Sequence, residues 1–161
     1  TLSPKVSYVD DTPALSGKQV PRDPRRVHDT RLSLMAGLTN LHEILGSLRP
    51  RVRQGTYVYV TLADEPAVEA HARILEEEGI TLVLDQRVAD AAGYAYEGVF
   101  GWITLQAHTS LSAVGVTAAV ATALARVGLS CNVLAGFYHD HLLVPADDVA
   151  EAIEVLGGME A

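Results

Sequence analysis

VFGWITL at residues 99–105, LSAVGVTAAVATALARV at 111–127, LSCNVLAGF at 129–137 and LLVP at 142–145 form the stretch that decides the fold, because its hydrophobic period changes in a fixed order. Val99 to Leu105 is rich in β-branched and aromatic residues and reads as a strand. Leu111 to Val127 reads as a helix, closed by Gly128. Leu129 to about Phe137 is a second strand, and Leu142-Leu143-Val144 returns from it as the other arm of a hairpin. After Pro145, Ala150, Ile153 and Leu156 share one face of a helix from Asp147 to Leu156. The order β-α-β-β-α is that of a ferredoxin-like α+β half that lacks its last strand. The helix from Leu111 to Val127 has little polar surface beyond Ser112, Thr117, Thr122 and Arg126, which predicts burial on more than one side.

Upstream, the same order is expected again. Thr56 to Leu62 reads as a strand, Glu65 to Glu78 as a helix with an acidic outer face closed by Gly79, and Ile80 to Leu84 as a strand. Gly55, Tyr59, Val60, Thr61 and Leu62 align without gaps on Gly98, Trp102, Ile103, Thr104 and Leu105, an offset of 43, and Gly79-Ile80-Thr81 aligns on Gly128-Leu129-Ser130 at an offset of 49. This recurrence reads as a duplicated module, one copy over 31–95 and the other over 96–161. Leu32, Leu34 and Met35 read as a short strand able to fill an open edge. Leu38, Leu41, Ile44, Leu45 and Leu48 then repeat at helical spacing until Pro50. Residues 1–30, with four of the seven prolines and no traceable period, read as an extended arm.

The whole chain has 161 residues, 48% of them apolar and 20% charged, and a formal charge of −8. That excess of acid removes the attraction to phosphate on which nucleic-acid and anionic-membrane binding depend. Cys131 is the one cysteine, so no internal disulfide is available, which fits a reducing compartment; the expected location is cytoplasmic, with no signal-peptide run at the start. No Gly-rich phosphate loop, Ser-nucleophile elbow or HExxH motif is present. Cys131 lies in an apolar strand, where a thiol is buried rather than nucleophilic.

The chemistry-bearing residues gather at one end of the second module. His108 and Ser110 leave its first strand, and Val114, Gly115, Val116 and Thr117 open its first helix. Asn132, Tyr138, His139, Asp140 and His141 flank its hairpin. A helix start offers unpaired N–H groups to a carboxylate, and Asp140 or a strand carbonyl would accept from an ammonium. Three readings stand: a small-carboxylate or amino-acid site with no cofactor and no metal, a divalent-metal site of a hydrolase or lyase built on His108, His139 and His141, or side chains that merely close the hairpin. A ligand-free assembly module is the corresponding non-binding reading of the whole chain.

From His108 through Val120, and again from Ser130 to Pro145, the sequence resembles a bacterial family of small proteins built from two ACT-like domains; Leu41 to Leu62 and Glu76 to Val83 share the likeness. It spans about residues 31–156. Thr109, Val116, Phe137 and Leu143 depart conservatively from the Ser, Leu, Tyr and Phe usual there. The resemblance implies paired βαββαβ modules with antiparallel sheets and helices on one face. It also implies an amino acid as ligand at a module or subunit interface, a homodimer, and a regulatory role without enzyme activity, as in the regulatory part of aspartate kinases.

Overall fold

The computed structural model describes residues 40–64, 66–106 and 113–159. Six strands make one antiparallel sheet in the order β2-β3-β1-β4-β6-β5: β1 (Pro50–Leu62), β2 (Ala72–Glu76), β3 (Gly79–Asp85), β4 (Phe100–Leu105), β5 (Asn132–Ala135) and β6 (Asp140–Pro145). The helices among the described residues are α1 (Leu41–Ser47), α2 (Gln86–Ala92), α3 (Val116–Arg126) and α4 (Val149–Gly157), the last entered through a 3-10 turn at Ala146–Asp148. The strand proposed at 32–35 and the arm over 1–30 lie outside the described residues.

Alternation along the strands sorts the side chains into two layers. Val58, Val60, Leu82 and Leu84 turn toward α2 and meet Ala89. Ile103, Leu105, Leu142 and Val144 turn to the same side and pack on Val120 and Leu124 of α3 and Ala152 and Leu156 of α4. Tyr57, Val83, Trp102 and Leu143 form a smaller buried layer on the opposite face. The fold is thus α+β and ferredoxin-like, with its helices on one face. Gly101 shows how close α4 comes: a Cβ there would lie 2.2 Å from Cγ2 of Val149.

The strand missing from the second module is found within the chain. Pro50 to Arg53 pair with Leu105 to Trp102, and beyond an irregularity the later part of β1, Tyr57 to Leu62, pairs with β3. One 13-residue strand therefore serves both modules, as fourth strand of the second and first strand of the first. Residues 41–48 go with it: Leu48 enters the core around α3 and α4, and Ile44 packs on Val116.

The duplication is real in one part and misaligned in another. The offset of 43 carries Tyr57–Leu62 onto Phe100–Leu105, the first strands of the two modules, and Tyr57 pairs directly with Phe100. Gly55 and Gly98, aligned by the same offset, both have positive φ, 101° and 74°, which a side chain would oppose. The offset of 49, however, is replaced by 60. Ala72 faces Val83 and Asn132 faces Leu143, while Asp85 and Pro145 are the partners of Tyr57 and Phe100. With 43 before and 60 after, the second module holds 17 more residues between its first two strands. They account for α3.

The helix expected over 65–78 is corrected by the same comparison. Residues 66–71 form bends without helix, and 72–76 are an edge strand paired with β3. Val68, Ala70, Ala72 and Ile74 recur every second residue, the period of a strand, against the helix preference of the surrounding Glu, Ala and Leu. Cross-strand pairing outweighs that preference. Glu77 and Glu78 are the exposed turn of the β2–β3 hairpin. Within the single chain α3 buries one stripe, Val116, Val120 and Leu124, and leaves Thr117, Ala118, Thr122, Ala125 and Arg126 exposed, so the described elements of the other module do not supply the further cover expected for this helix.

Candidate functional site

The end of the sheet where β4 finishes is where the sequence places the site. Leu105 there lies between Pro50 and Asp140 in register, and Gln106 N–H donates to the Arg49 carbonyl. His108 and Ser110, which follow, lie outside the described residues. The chain is described again from Ala113, with Val114 exposed, Gly115 at φ 95° as N-cap of α3, Val116 buried and Thr117 exposed. No side chain caps this helix start. Helix α1 covers part of it: Leu41 Cδ2 would lie 3.1 Å from a Cβ on Gly115, and Ile44 packs against Val116. Beside Gly115, between α1, α3 and α4, runs a groove of about 730 Å³ lined by Leu41, Ala118, Thr122, Arg126 and Met159.

Strand register divides the hairpin residues. Asp140 pairs with Leu105 and Ala135, so it shares the helix side with Gly115. His141 pairs with Thr104, and Asn132 with Leu143, which puts both on the opposite side with Trp102. His141 is held there by a 3.0 Å contact between Nδ1 and Thr104 Oγ1, and its ring lies 5.2 Å from that of Trp102. Burial pushes the imidazole below its ordinary value; neighbouring His139 and the Arg53 charge act the same way, while Asp140 opposes them. The turn itself is closed by Gly136 N–H donating to the His139 carbonyl at 3.0 Å, and the exposed rings of Phe137 and Tyr138 stack edge to face outside it. The strand expected over 129–137 is only β5, Asn132–Ala135, so Cys131 lies just before it, half-buried against the core, and burial raises its thiol.

Among the described residues no group of three or more His, Cys, Asp or Glu is placed to hold a metal ion. The first module has no counterpart of α3 in the described residues, so a helix start faces the end of β4 and none faces the end of β1 in the same way.

Two family models, each describing an ACT domain, match residues 36–101 and 97–157. The solved structure of a Vibrio cholerae protein of unknown function, described as a possible transport protein, is 39% identical; the match covers 75% of this chain and 96% of that one, with a TM-score of 0.70. The chain belongs to the paired ACT-domain family. An Agrobacterium tumefaciens protein shares the fold at 18% identity and a TM-score of 0.59, over 70% of this chain and 89% of its own. The ligand-free regulatory subunit of aspartate kinase from Thermus thermophilus shares it at 10% identity and a TM-score of 0.53, over 71% and 99%. None of the curated proteins compared matches the chain. In this ACT pair the fourth strand of the second module is supplied by the beginning of β1.

A polar cluster that sequence reasoning missed lies on the face opposite the helices. His71 Nε2 is 2.9 Å from Asp85 Oδ2, and its Nδ1 is 3.2 Å from Arg53 Nη2. The three residues come from β1, the residue before β2 and the end of β3, far apart in sequence with no local motif to announce them.

Proposed function

We propose that this ACT protein is a non-catalytic, cytoplasmic regulatory homodimer that binds an amino acid at the start of α3 in its second module. The observation that carries the reading is the asymmetry of the duplication: only the second copy has the 17 residues that build a helix start beside the end of its first strand. ACT modules are regulatory domains, and a zwitterion needs donors and an acceptor within a few ångströms. The N–H groups from Gly115 onward supply the first, and Asp140, on the same side of the sheet, supplies the second. His108, Ser110, Val114 and Thr117 would line the approach. The exposed Ala and Thr face of α3 offers the surface on which a second copy would pack.

A thermal-shift screen of the twenty amino acids tests this directly. A true ligand at a hundredfold excess over its Kd adds about 2.7 kcal/mol of stability. Asp140→Asn keeps the shape and removes the charge, so affinity for the hit should fall by about 1.5 to 3 kcal/mol. Gly115 is the poorer target, because its positive φ and the nearby Leu41 make any substitution strain the fold. No shift with any amino acid, or an unchanged Kd in Asp140→Asn, would refute the site.

A further inference from the structure

Arg53 lies over two aromatic rings on the side of the sheet away from the helices. Its guanidinium carbon is 5.1 Å from the ring centroid of Trp102 and 5.6 Å from that of Tyr57. Both rings are buried, and the Tyr57 hydroxyl is fixed by donating to the Gln54 carbonyl at 2.7 Å. An arginine can only donate, so His71 Nδ1 must accept from it and Nε2 must carry the proton to Asp85. Asp85 thus orients His71, and His71 orients Arg53. One edge of the guanidinium is used in this way, and Arg53 itself is exposed, with no carboxylate within ion-pair distance among the described residues. The indole Nε1 of Trp102 is buried and also has no hydrogen-bond partner among the described residues, a cost that folded proteins rarely leave standing without a use.

The β4–β6 and β5–β6 pairings hold without such a cluster: Cys131 stands at the place of His71 and Pro145 at that of Asp85, while Tyr96, at the offset of Arg53, lies outside any strand.

We propose that Arg53, held by His71 and Asp85 over Trp102, is a second binding site, independent of the amino-acid site, for a small monocarboxylate with an apolar or aromatic tail. A planar guanidinium fork matches a carboxylate through two parallel N–H donors. Oδ2 of Asp85 is engaged by His71, which leaves an α-ammonium only the other oxygen; this favours acids without one. A single fork with Asp85 nearby also disfavours a phosphate dianion. Along the same face, half-buried Phe100 and Tyr59, 5.5 Å apart edge to face, continue the floor away from Trp102 and give the tail its surface.

Trp102 is the only tryptophan in the chain, so the signal comes from the one indole under Arg53. The full chain is titrated with phenylacetate, phenylacetamide, L-phenylalanine and inorganic phosphate, following tryptophan fluorescence and the single indole N–H resonance of a ¹⁵N-labelled sample. Phenylacetate should give a saturable change in both signals, and the other three should not. In Arg53→Gln, checked for native circular dichroism, the phenylacetate Kd should rise by about tenfold or more, the loss of a charge-assisted hydrogen bond. Arg53→Lys should recover part of it; if Arg53→Gln does not fold, the lysine variant and the wild-type contrast of acid with amide decide. The proposal is overturned if acid and amide act alike, if phosphate or L-phenylalanine acts as strongly as phenylacetate, if tens of millimolar phenylacetate moves neither signal, or if the Arg53 variants that fold bind like the wild type.

Discussion

Gly136→Ala puts the β5–β6 turn to a quantitative test. A Cβ at this position would stand 2.6 Å from the His139 carbonyl oxygen and 3.2 Å from His141 Nε2. The first contact is with backbone, which cannot swing aside as a side chain can. The carbonyl must retreat by about 1 Å to reach an ordinary contact distance, and the 3.0 Å bond it accepts from Gly136 N–H is lost with that movement. The missing hydrogen bond costs about 0.5–1.5 kcal/mol and the residual crowding about 1–3 kcal/mol, so the expected loss is about 1.5–4.5 kcal/mol. At roughly 2–4 °C per kcal/mol for a chain of this length, Tm should drop by about 3–18 °C in a calorimetric scan. Gly157→Ala is the matched control, since nothing lies within 4 Å of its Cβ position in α4; there helix propensity should add up to about 1 kcal/mol. The turn also sets the start of β6, so Gly136→Ala should weaken the amino-acid response through Asp140. A Gly136→Ala protein that melts within a degree of the wild type would refute the reasoning.

Two further outcomes follow from the shared strand and the buried imidazole. A fragment starting at residue 97, which holds the whole second family match, should fail to give dispersed amide resonances, whereas one starting at residue 40 should fold, because Leu48 and Pro50–Arg53 complete its core and sheet. His141 has its folded-state value below the ordinary 6.5, so between those two values the unfolded chain binds more protons and stability rises with pH. Urea midpoints should therefore fall as pH drops from about 8 to 5 and flatten once the ring protonates in the folded state as well; His141→Gln should lose this part of the slope.

The second module was largely legible because its central strands are buried on both faces. Gly101 through Leu105 and Leu142 through Val144 leave little doubt about period or length, and α3 and α4 follow at the expected spacing. The edge strand β2 was not legible: an edge tolerates the charges of Arg73 and Glu76, and these with alanine and leucine imitate a helix surface. Nor was the role of Arg51-Val52-Arg53, since a strand that pairs with residues some fifty positions later carries no local sign of its partner. At the site, residue identity was readable but side was not. His139-Asp140-His141 reads as one group in the sequence, and only the register of β6 on β4 sends Asp140 to one side of the sheet and His141 to the other.

That division changes how the duplicated fold is understood to have been put to use. The additions fall on different faces: α3 on the helix side of the second copy, and the Arg53-His71-Asp85 chain on the opposite side, with His71 and Asp85 from the first copy and Arg53 from the part of β1 that completes the second. What the modules cannot do is separate. Strand β1 gives its first four residues to one and its last six to the other, and the irregularity between Arg53 and Tyr57, with Gly55 at positive φ, is the place where that single strand changes partners. Arg53 is the last residue before it. A ligand that fixes Arg53 therefore holds the segment of β1 that completes the second module's sheet.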